Sequence, residues 1–432
     1  MTESLVDLLA RGHYLSYVYS YPHKMAYRPL SPAVDLRQAW ADEDRSALFL
    51  YLHVPFCEQR CDYCNLFSHA LAPKETVAAY VGAVERQAEV MAEVLAPARF
   101  ARLAIGGGTP SHLGTALLDR LFHIAARLGA TSIPTSVEVS PGTFNPEILA
   151  ILRARGVTRV SVGVQSMVSD EVAAVHRAQS LDQVERVMAD VAGIAVRNVD
   201  LIYGLPGQTM ATWRASIDRT IALGANEIYL YPLYVRPFTG MARSATGPDH
   251  RVALYRAGRD RLLDAGFTQV SMRMFRLGGS SESGPAYRCQ TDGMVGLGAG
   301  ARSYTRSLHY ASPYAVTQAR VRVALAGWVA QTDDDFGLAR HGFRLDAAEQ
   351  RRRYLILSLL EGRLDRGEYM ARFSDDVLAH MPELGEAVAA GLVEETSAAL
   401  TLTQLGRECS DVLGHWLQSS TVRALRAQWE AG

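Results

Sequence analysis

"YLHVPFCEQRCDYCNLFSHA", residues 51–70, is the stretch on which the reading of this chain turns. It places Cys57, Cys61 and Cys64 within eight positions, in a chain with 5 cysteines among 432 residues. The run before it, "LFLYLHV" at 48–54, is short, apolar and rich in β-formers. The cysteines therefore belong to a loop at the exit of a strand. Their spacing is Cys-x3-Cys-x2-Cys. A structural zinc site takes four ligands, often as two Cys-x2-Cys pairs, so here a fourth has to come from His53, His69 or a distant residue. Three thiolates on a [4Fe–4S] cluster instead leave one iron without a protein ligand, open to a substrate or cofactor.

The rest of the composition sets the bounds. Hydrophobic residues make up 48% of the chain, enough for a large core and for two or more domains. The net charge is −1, from 44 basic and 45 acidic residues, which gives no sign of nucleic acid or an anionic membrane as partner. No run of about 18 apolar residues occurs, so no transmembrane helix is expected. The start, "MTESLVDLLARGHYLSYVYSYPHK", has no basic segment ahead of an apolar one and does not read as a secretory signal. A cytoplasmic, reducing location follows as the expectation, and there clustered cysteines are metal ligands or redox centres rather than disulfides.

Downstream the chain repeats one unit. "TVAAYVGAVERQAEVMAEVLA" carries Val77, Tyr80, Val81, Val84, Met91, Val94 and Leu95 at helical spacing. Then come "RLAIGGG" (102–108), "SVEVSPG" (136–142), "RVSVGVQS" (159–166), "NVDLIYGLPG" (198–207) and "EIYLYPLY" (227–234), each a strand-like run closed by glycine, proline or a polar turn. Helical segments such as "TALLDRLFHIAARLG" lie between them. Strand, loop and helix repeated about six times predict a parallel sheet, either an open partial barrel or a doubly wound sheet. In both, chemistry gathers at the carboxyl ends of the strands. After about residue 310 the pattern changes to helices, with a short hairpin within "GLVEETSAALTLTQLGREC". The domain reading is 1–45 as a tyrosine-rich arm, 46–310 as the repeated α/β unit, and 311–432 as a helical domain with a small β-wing.

Taken together, "YLHVPFCEQRCDYCNLFSHA", "IGGGTPS", "VEVSPGT", "VSVGVQS" and "VDLIYGLPGQT" resemble, in order, the motifs of the oxygen-independent coproporphyrinogen III oxidase family and its haem-chaperone-like relatives, within the radical S-adenosylmethionine (SAM) superfamily. The resemblance covers roughly residues 48 to 300. It implies an incomplete (βα)6 radical-SAM barrel with an N-terminal arm and a C-terminal helical, winged-helix-like domain. It also implies a [4Fe–4S] cluster on Cys57, Cys61 and Cys64, whose fourth iron is chelated by the amino and carboxylate groups of SAM. Gly106, Gly107, Gly108 and Thr109 then let the backbone approach the methionine amino group. Glu138 and Asp200 accept from ribose hydroxyls or the ammonium, Gln165 offers both a donor and an acceptor, Arg177 meets the cofactor carboxylate, and Tyr51 and Tyr63 flank the cofactor. The implied activity is reductive cleavage of SAM to a 5′-deoxyadenosyl radical that abstracts hydrogen from a small-molecule substrate, a tetrapyrrole among the candidates. A reductase or flavodoxin-type electron donor is implied, and neither membrane nor nucleic acid.

The departures matter as well. The family's Gly-Arg-x-His stands here as "HRAQ", with His176 and Gln179 at the outer positions. The coproporphyrinogen enzymes carry a fourth cysteine just after the third, and "CNLF" has none. The chaperone branch's haem-binding histidine position corresponds to Gly284. Two other classes therefore stay open, a two-SAM radical methyltransferase and a haem-chaperone-like carrier. Substrate selection is expected from Tyr19, Tyr21, His23 and Lys24 in the arm, packed over the barrel mouth, and from Tyr287, Arg288 and Arg302. Cys289 reads as a buried thiol or a substrate-side group, Cys409 as a helix-face residue, and His53 and His69 as supports of the cysteine loop.

Overall fold

The computed structural model describes residues 3–236, 238–243, 249–278 and 293–429, the side chains of 242 and 243 excepted. Its centre is the predicted repeat: β1 (Leu48–Val54), β2 (Phe100–Gly107), β3 (Thr135–Val139), β4 (Arg159–Gln165), β5 (Val196–Tyr203) and β6 (Glu227–Pro232). Each is followed by its helix: α1 (Lys74–Leu95), α2 (Thr115–Arg127), α3 (Pro146–Ala154), α4 (Leu181–Asp190), α5 (Met210–Ala222) and α6 (Arg251–Asp264). The six strands lie side by side in chain order, and every consecutive pair is parallel. Parallel neighbours require a crossover between them, which the helices supply. Beyond β1 the sheet continues through Met294–Leu297, Arg302–Tyr304, Leu308–Ala311, Leu338–Arg344 and Arg28–Asp35, and beyond β6 through Met274–Leu277 and Phe267–Gln269. It is open, with two edges.

Alternation along the strands sorts the two faces. Val137, Val160, Val162, Val164, Val199, Leu201, Ile228 and Leu230 are buried on one face. The opposite face carries Ser136 and Glu138 on β3, Arg159, Ser161 and Gly163 on β4, Asn198 and Asp200 on β5, and Glu227 and Tyr229 on β6. A parallel sheet covered on both faces reads as an unbroken apolar run. Here, Gly163 apart, every second position is polar, which an apolar layer on that face would not tolerate. The motif ends are structural too: Thr209 of "GLPGQT" is the N-cap of α5, in a capping box with Thr212. Gln208 accepts from the Gly204 amide at 2.6 Å and donates to buried Glu171 at 3.0 Å, fastening the loop after β5.

Packing divides the chain into two units, one of residues 1–27, 269–275 and 343–429, the other holding nearly all the rest. The boundaries differ from the three-part sequence reading because Arg28–Asp35 pairs antiparallel with Leu338–Arg344, a contact between distant segments. The first unit contains the helix Ala347–Leu360, a three-stranded sheet of Arg363–Asp365, Ala399–Leu402 and Val393–Glu395, and the expected hairpin. In it Tyr21 is wholly buried; its hydroxyl donates to Glu349 and accepts from the Ser419 amide at 3.2 Å. Arg273 forms a buried two-pronged pair with Asp411, both distances 2.8 Å, and lies over the Tyr17 ring at 4.0 Å. Tyr21 is thus an anchor of this unit and not the substrate contact expected from the sequence. Cys409 is buried between the helices Gln404–Glu408 and Ser410–Trp416. Cys289, Tyr287, Arg288 and Gly284 lie outside the described residues.

Candidate active site

The cysteine loop leaves β1 at Val54 and is closed at its neck. Phe56–Cys57 pairs in parallel with His69–Ala70. The Leu71 amide donates to the Cys57 carbonyl at 3.1 Å, and inside the loop the Cys64 amide donates to Cys61 at 3.0 Å. His53 is a strut: it is buried, with Nδ1 3.0 Å from the Tyr51 hydroxyl and Nε2 3.1 Å from the Phe67 carbonyl. Both ring nitrogens are engaged, so His53 does not supply a fourth metal ligand. His69 is buried in the strand that closes the neck. Among the described residues, no three His, Cys, Asp or Glu side chains gather as ligands of a single ion.

The glycines at the end of β2 approach this loop. The amide of Gly108 donates to the Val54 carbonyl at 2.6 Å, and that of Thr109 to the Phe56 carbonyl at 2.8 Å. A Cβ on Gly108 would stand 2.6 Å from the Phe56 carbonyl oxygen and 2.9 Å from the Cys57 sulfur. Gly107 has φ +116°, a conformation that favours glycine. Gly107, Gly108 and Thr109 thus seat the cysteine loop, beside the close backbone approach expected of them.

Burial pushes the Cys57 thiol up to about 12, with the neighbouring Cys64 adding to it, and burial also raises Cys64. The charges of both Cys64 and Cys61 act on Cys57. Three soft donors from one loop, with His53 engaged at both ring nitrogens, fit three irons of a four-iron cluster better than a zinc ion. Bound iron would supply the positive charge that stabilises the thiolates.

Arg177 ties this loop to β4. Its Nη1 donates to the Tyr63 hydroxyl at 3.3 Å and lies 3.6 Å from the Cys61 sulfur, its Nη2 donates to the Gly163 carbonyl, and its Nε donates to Gln179 at 2.8 Å. Burial works against the charge on Arg177, but Tyr63 and Cys61 more than offset it and hold the group above its ordinary value. Burial raises the Tyr63 hydroxyl well above its usual range. Gln179 in turn donates to the Val164 carbonyl at 2.6 Å. The residue that departs from the family pattern is therefore a clamp between Arg177 and the end of β4. His176, the other departure, faces Asp62 of the cysteine loop at 2.7 Å.

Gln165 ends β4 with φ +72°, next to a register shift against β5 between Gly163 and Gln165. Such a bulge re-aims a side chain at a functional position. Glu138 accepts from the Gly107 amide at 2.9 Å. Asp200 accepts from Ser161 at 3.1 Å and Asn198 at 2.9 Å, and burial raises its carboxyl. Further toward the strand starts, fully buried Glu227 takes Arg159 at 2.7 Å and Arg276 at 2.7 Å. Ser161, Asn198, Arg159 and Glu227 were not anticipated; the alternation of polar and apolar residues in β4–β6 was the signal for them.

Glu138 reaches solvent through the open side of the sheet, yet the protein around it is dense enough to raise its carboxyl to about 7, burial being the main cause and Asp200 contributing. The folded chain then binds more protons here than the unfolded chain between roughly pH 4 and 7. Stability from this group is full below that window and lost as pH rises through it. Glu138→Gln keeps an acceptor for Gly107 and removes the titration. Thermal melts of cofactor-free protein should show the variant more stable than the parent at about pH 8, with the gain shrinking toward about pH 5. A difference that does not change with pH would contradict the raised carboxyl.

Comparison with known proteins places this arrangement. A family model described as the Radical SAM superfamily matches residues 51–220. The oxygen-independent coproporphyrinogen III oxidase of Cereibacter sphaeroides is 27% identical over 398 residues, covering 85% of each chain. The heme chaperone HemW of Mycobacterium tuberculosis H37Rv is 30% identical over 389 residues, covering 84% of this chain and 93% of the relative. The solved structure of coproporphyrinogen III oxidase (HemN) from Escherichia coli, a radical SAM enzyme, superposes with a TM-score of 0.81 at 22% identity, over 93% of this chain and 97% of that one. That match shows a shared fold.

Proposed function

This chain belongs to the radical SAM superfamily, in the family that joins oxygen-independent coproporphyrinogen III oxidases and haem chaperones, and on that premise we propose that it is an oxidoreductase acting on a flat, carboxylate-bearing tetrapyrrole. Its cofactors are a [4Fe–4S] cluster and SAM. When bound, they would supply radical chemistry able to remove a hydrogen atom from an unactivated carbon. Cys57, Cys61 and Cys64 hold three irons. Arg177 neutralises the SAM carboxylate, while Gly107, Thr109 and Glu138 receive its ammonium. Gln165 and Asp200 orient the ribose, and Tyr51 and Tyr63 shield the cofactor from water. A reducing, cytoplasmic setting suits thiolate ligands of this kind.

The observation that carries this reading is the three-thiol loop closed on the glycines of β2, at one end of a sheet whose polar face bears Glu138 and Asp200. Support for the substrate class comes from the same face. Tyr229 and Tyr231 stack at 5.7 Å with rings 16° apart, and Tyr229 adjoins Asp200 across β5 and β6. Paired rings suit a flat substrate, and the side chains of Arg159 and Arg276, 24% and 21% exposed and both paired with Glu227, are cations on this part of the sheet.

Anaerobically reconstituted protein, given dithionite, SAM and coproporphyrinogen III, should form 5′-deoxyadenosine and consume the tetrapyrrole. The similarity to HemW favours a second reading, a haem carrier. Tight haem binding without turnover of coproporphyrinogen would establish that reading, and S-adenosylhomocysteine formation would instead indicate methyl transfer.

A further inference from the structure

We propose that Glu171 is a positioning residue of the cofactor site. One oxygen of its buried carboxylate takes both Ser166 and Gln208, joins the exits of β4 and β5, and so holds Gln165 in the conformation that offers its amide to SAM. The inference rests on the function proposed above, which gives the ribose to Gln165 and Asp200.

Glu171 stands in the first turn of the short helix Ser169–Ala173. An acid at such a position ordinarily stays in water and complements the helix dipole. Glu171 is instead 3% exposed. Its Oε2 accepts from the Ser166 hydroxyl at 2.7 Å and from the Gln208 side-chain amide at 3.0 Å. Its Oε1 has no hydrogen-bond partner among the described residues. Burying a carboxylate is costly, and what it provides here is a single acceptor shared by two loops.

Both loops bear on the proposed cofactor residues. Ser166 follows Gln165, whose φ of +72° falls at the register shift of β4 against β5. A side chain keeps such a conformation only where its surroundings over-determine it. Here it is held from both sides. Before it, the Val164 carbonyl accepts from Gln179 at 2.6 Å. After it, the Ser166 hydroxyl donates to Glu171 and accepts from the Val168 amide at 3.0 Å, and the Met167 amide donates to Ser216 of α5 at 3.2 Å. The outcome is readable at Gly163, where an added Cβ would stand 3.2 Å from the side-chain nitrogen of Gln165 and 3.2 Å from Nη2 of Arg177. Gln165 thus lies against Gly163 on the polar face, beside Arg177. On the other loop, Gln208 accepts from the Gly204 amide at 2.6 Å and donates to the Ile202 carbonyl at 3.2 Å. It shapes the exit of the strand that carries Asp200, and the same carboxylate oxygen holds it there.

The test measures SAM affinity by equilibrium dialysis on the cluster-loaded protein, and hydrogen exchange on the cofactor-free chain. Glu171→Ala should weaken SAM binding roughly tenfold, and Ser166→Ala, which breaks the same link without emptying the place of the carboxylate, should weaken it in the same direction. In a Gln165→Ala background each should cost less than about twofold further, because the group they position is gone. Glu171→Gln keeps an acceptor for both donors and sets its amide where Oε1 has no partner, so it should recover most of the affinity. In the cofactor-free chain, Glu171→Ala should speed exchange at the Met167, Val168 and Gly204 amides and leave the interior of β4 as it was. Equal losses in the two backgrounds, unchanged exchange at those three amides, or a Glu171→Gln variant as weak as Glu171→Ala would overturn the inference. A cluster-loaded parent that binds no SAM, or a Gln165→Ala variant that binds it as the parent does, would overturn the cofactor reading itself and the inference with it.

Discussion

Replacing Cys57, Cys61 and Cys64 together by alanine should yield a folded chain that binds no iron, where the parent after anaerobic reconstitution holds about four irons and four sulfides. The effect should be complete because the described site offers no substitute: His53 has both ring nitrogens engaged, and buried Cys409 belongs to the other packing unit. The fold should survive because the neck of the loop is held by backbone bonds, Leu71 to Cys57 and Thr109 to Phe56, which alanine leaves intact. Iron and sulfide analysis, the visible absorbance of the cluster and far-UV circular dichroism give the three readings. Zinc bound stoichiometrically in the parent, with no iron accepted on reconstitution, would refute the assignment.

Arg177→Ala should leave the cluster in place and weaken SAM binding by between roughly tenfold and a hundredfold. A charge-assisted hydrogen bond is worth about 1.5–3 kcal/mol, and about 1.4 kcal/mol is a factor of ten. The truncation removes the proposed partner of the SAM carboxylate. It also strips donors from the Gly163 carbonyl, the Gln179 side chain and the Tyr63 hydroxyl. Arg177→Lys should recover only part of the loss, because an ammonium does not span three directions as a guanidinium fork does. Equilibrium dialysis with SAM against the cluster-loaded variant gives the affinity, and iron analysis controls for the site. Unchanged affinity would make Arg177 a brace of the cysteine loop alone.

The order of the six strands and the place of the cysteine loop were legible in the sequence because both are local signals. Short β-rich runs closed by glycine mark each strand exit, and three cysteines within eight positions need no distant partner to be recognised. The placement of Glu138, Gln165 and Asp200 on the polar face was legible for a related reason: each sits at or near the end of such a run, on the polar side of its alternation. What lay beyond reach depends on contacts between segments far apart in the chain. Gly108 looks like part of an ordinary glycine-rich turn until β1 and β2 pair and bring its Cα against Phe56 and Cys57. Gln179 looks like a loss from the family pattern until the turn after β4 carries it onto Arg177 and the Val164 carbonyl. Tyr21 looks like an aromatic available to a substrate until Glu349, 328 positions away, takes its hydroxyl in a buried site. Alternation and spacing report which face a residue occupies and what chemistry it brings. Which distant group meets it is decided by chain packing, because a buried polar atom must be paired and its partner is set by the tertiary fold rather than by its neighbours in sequence.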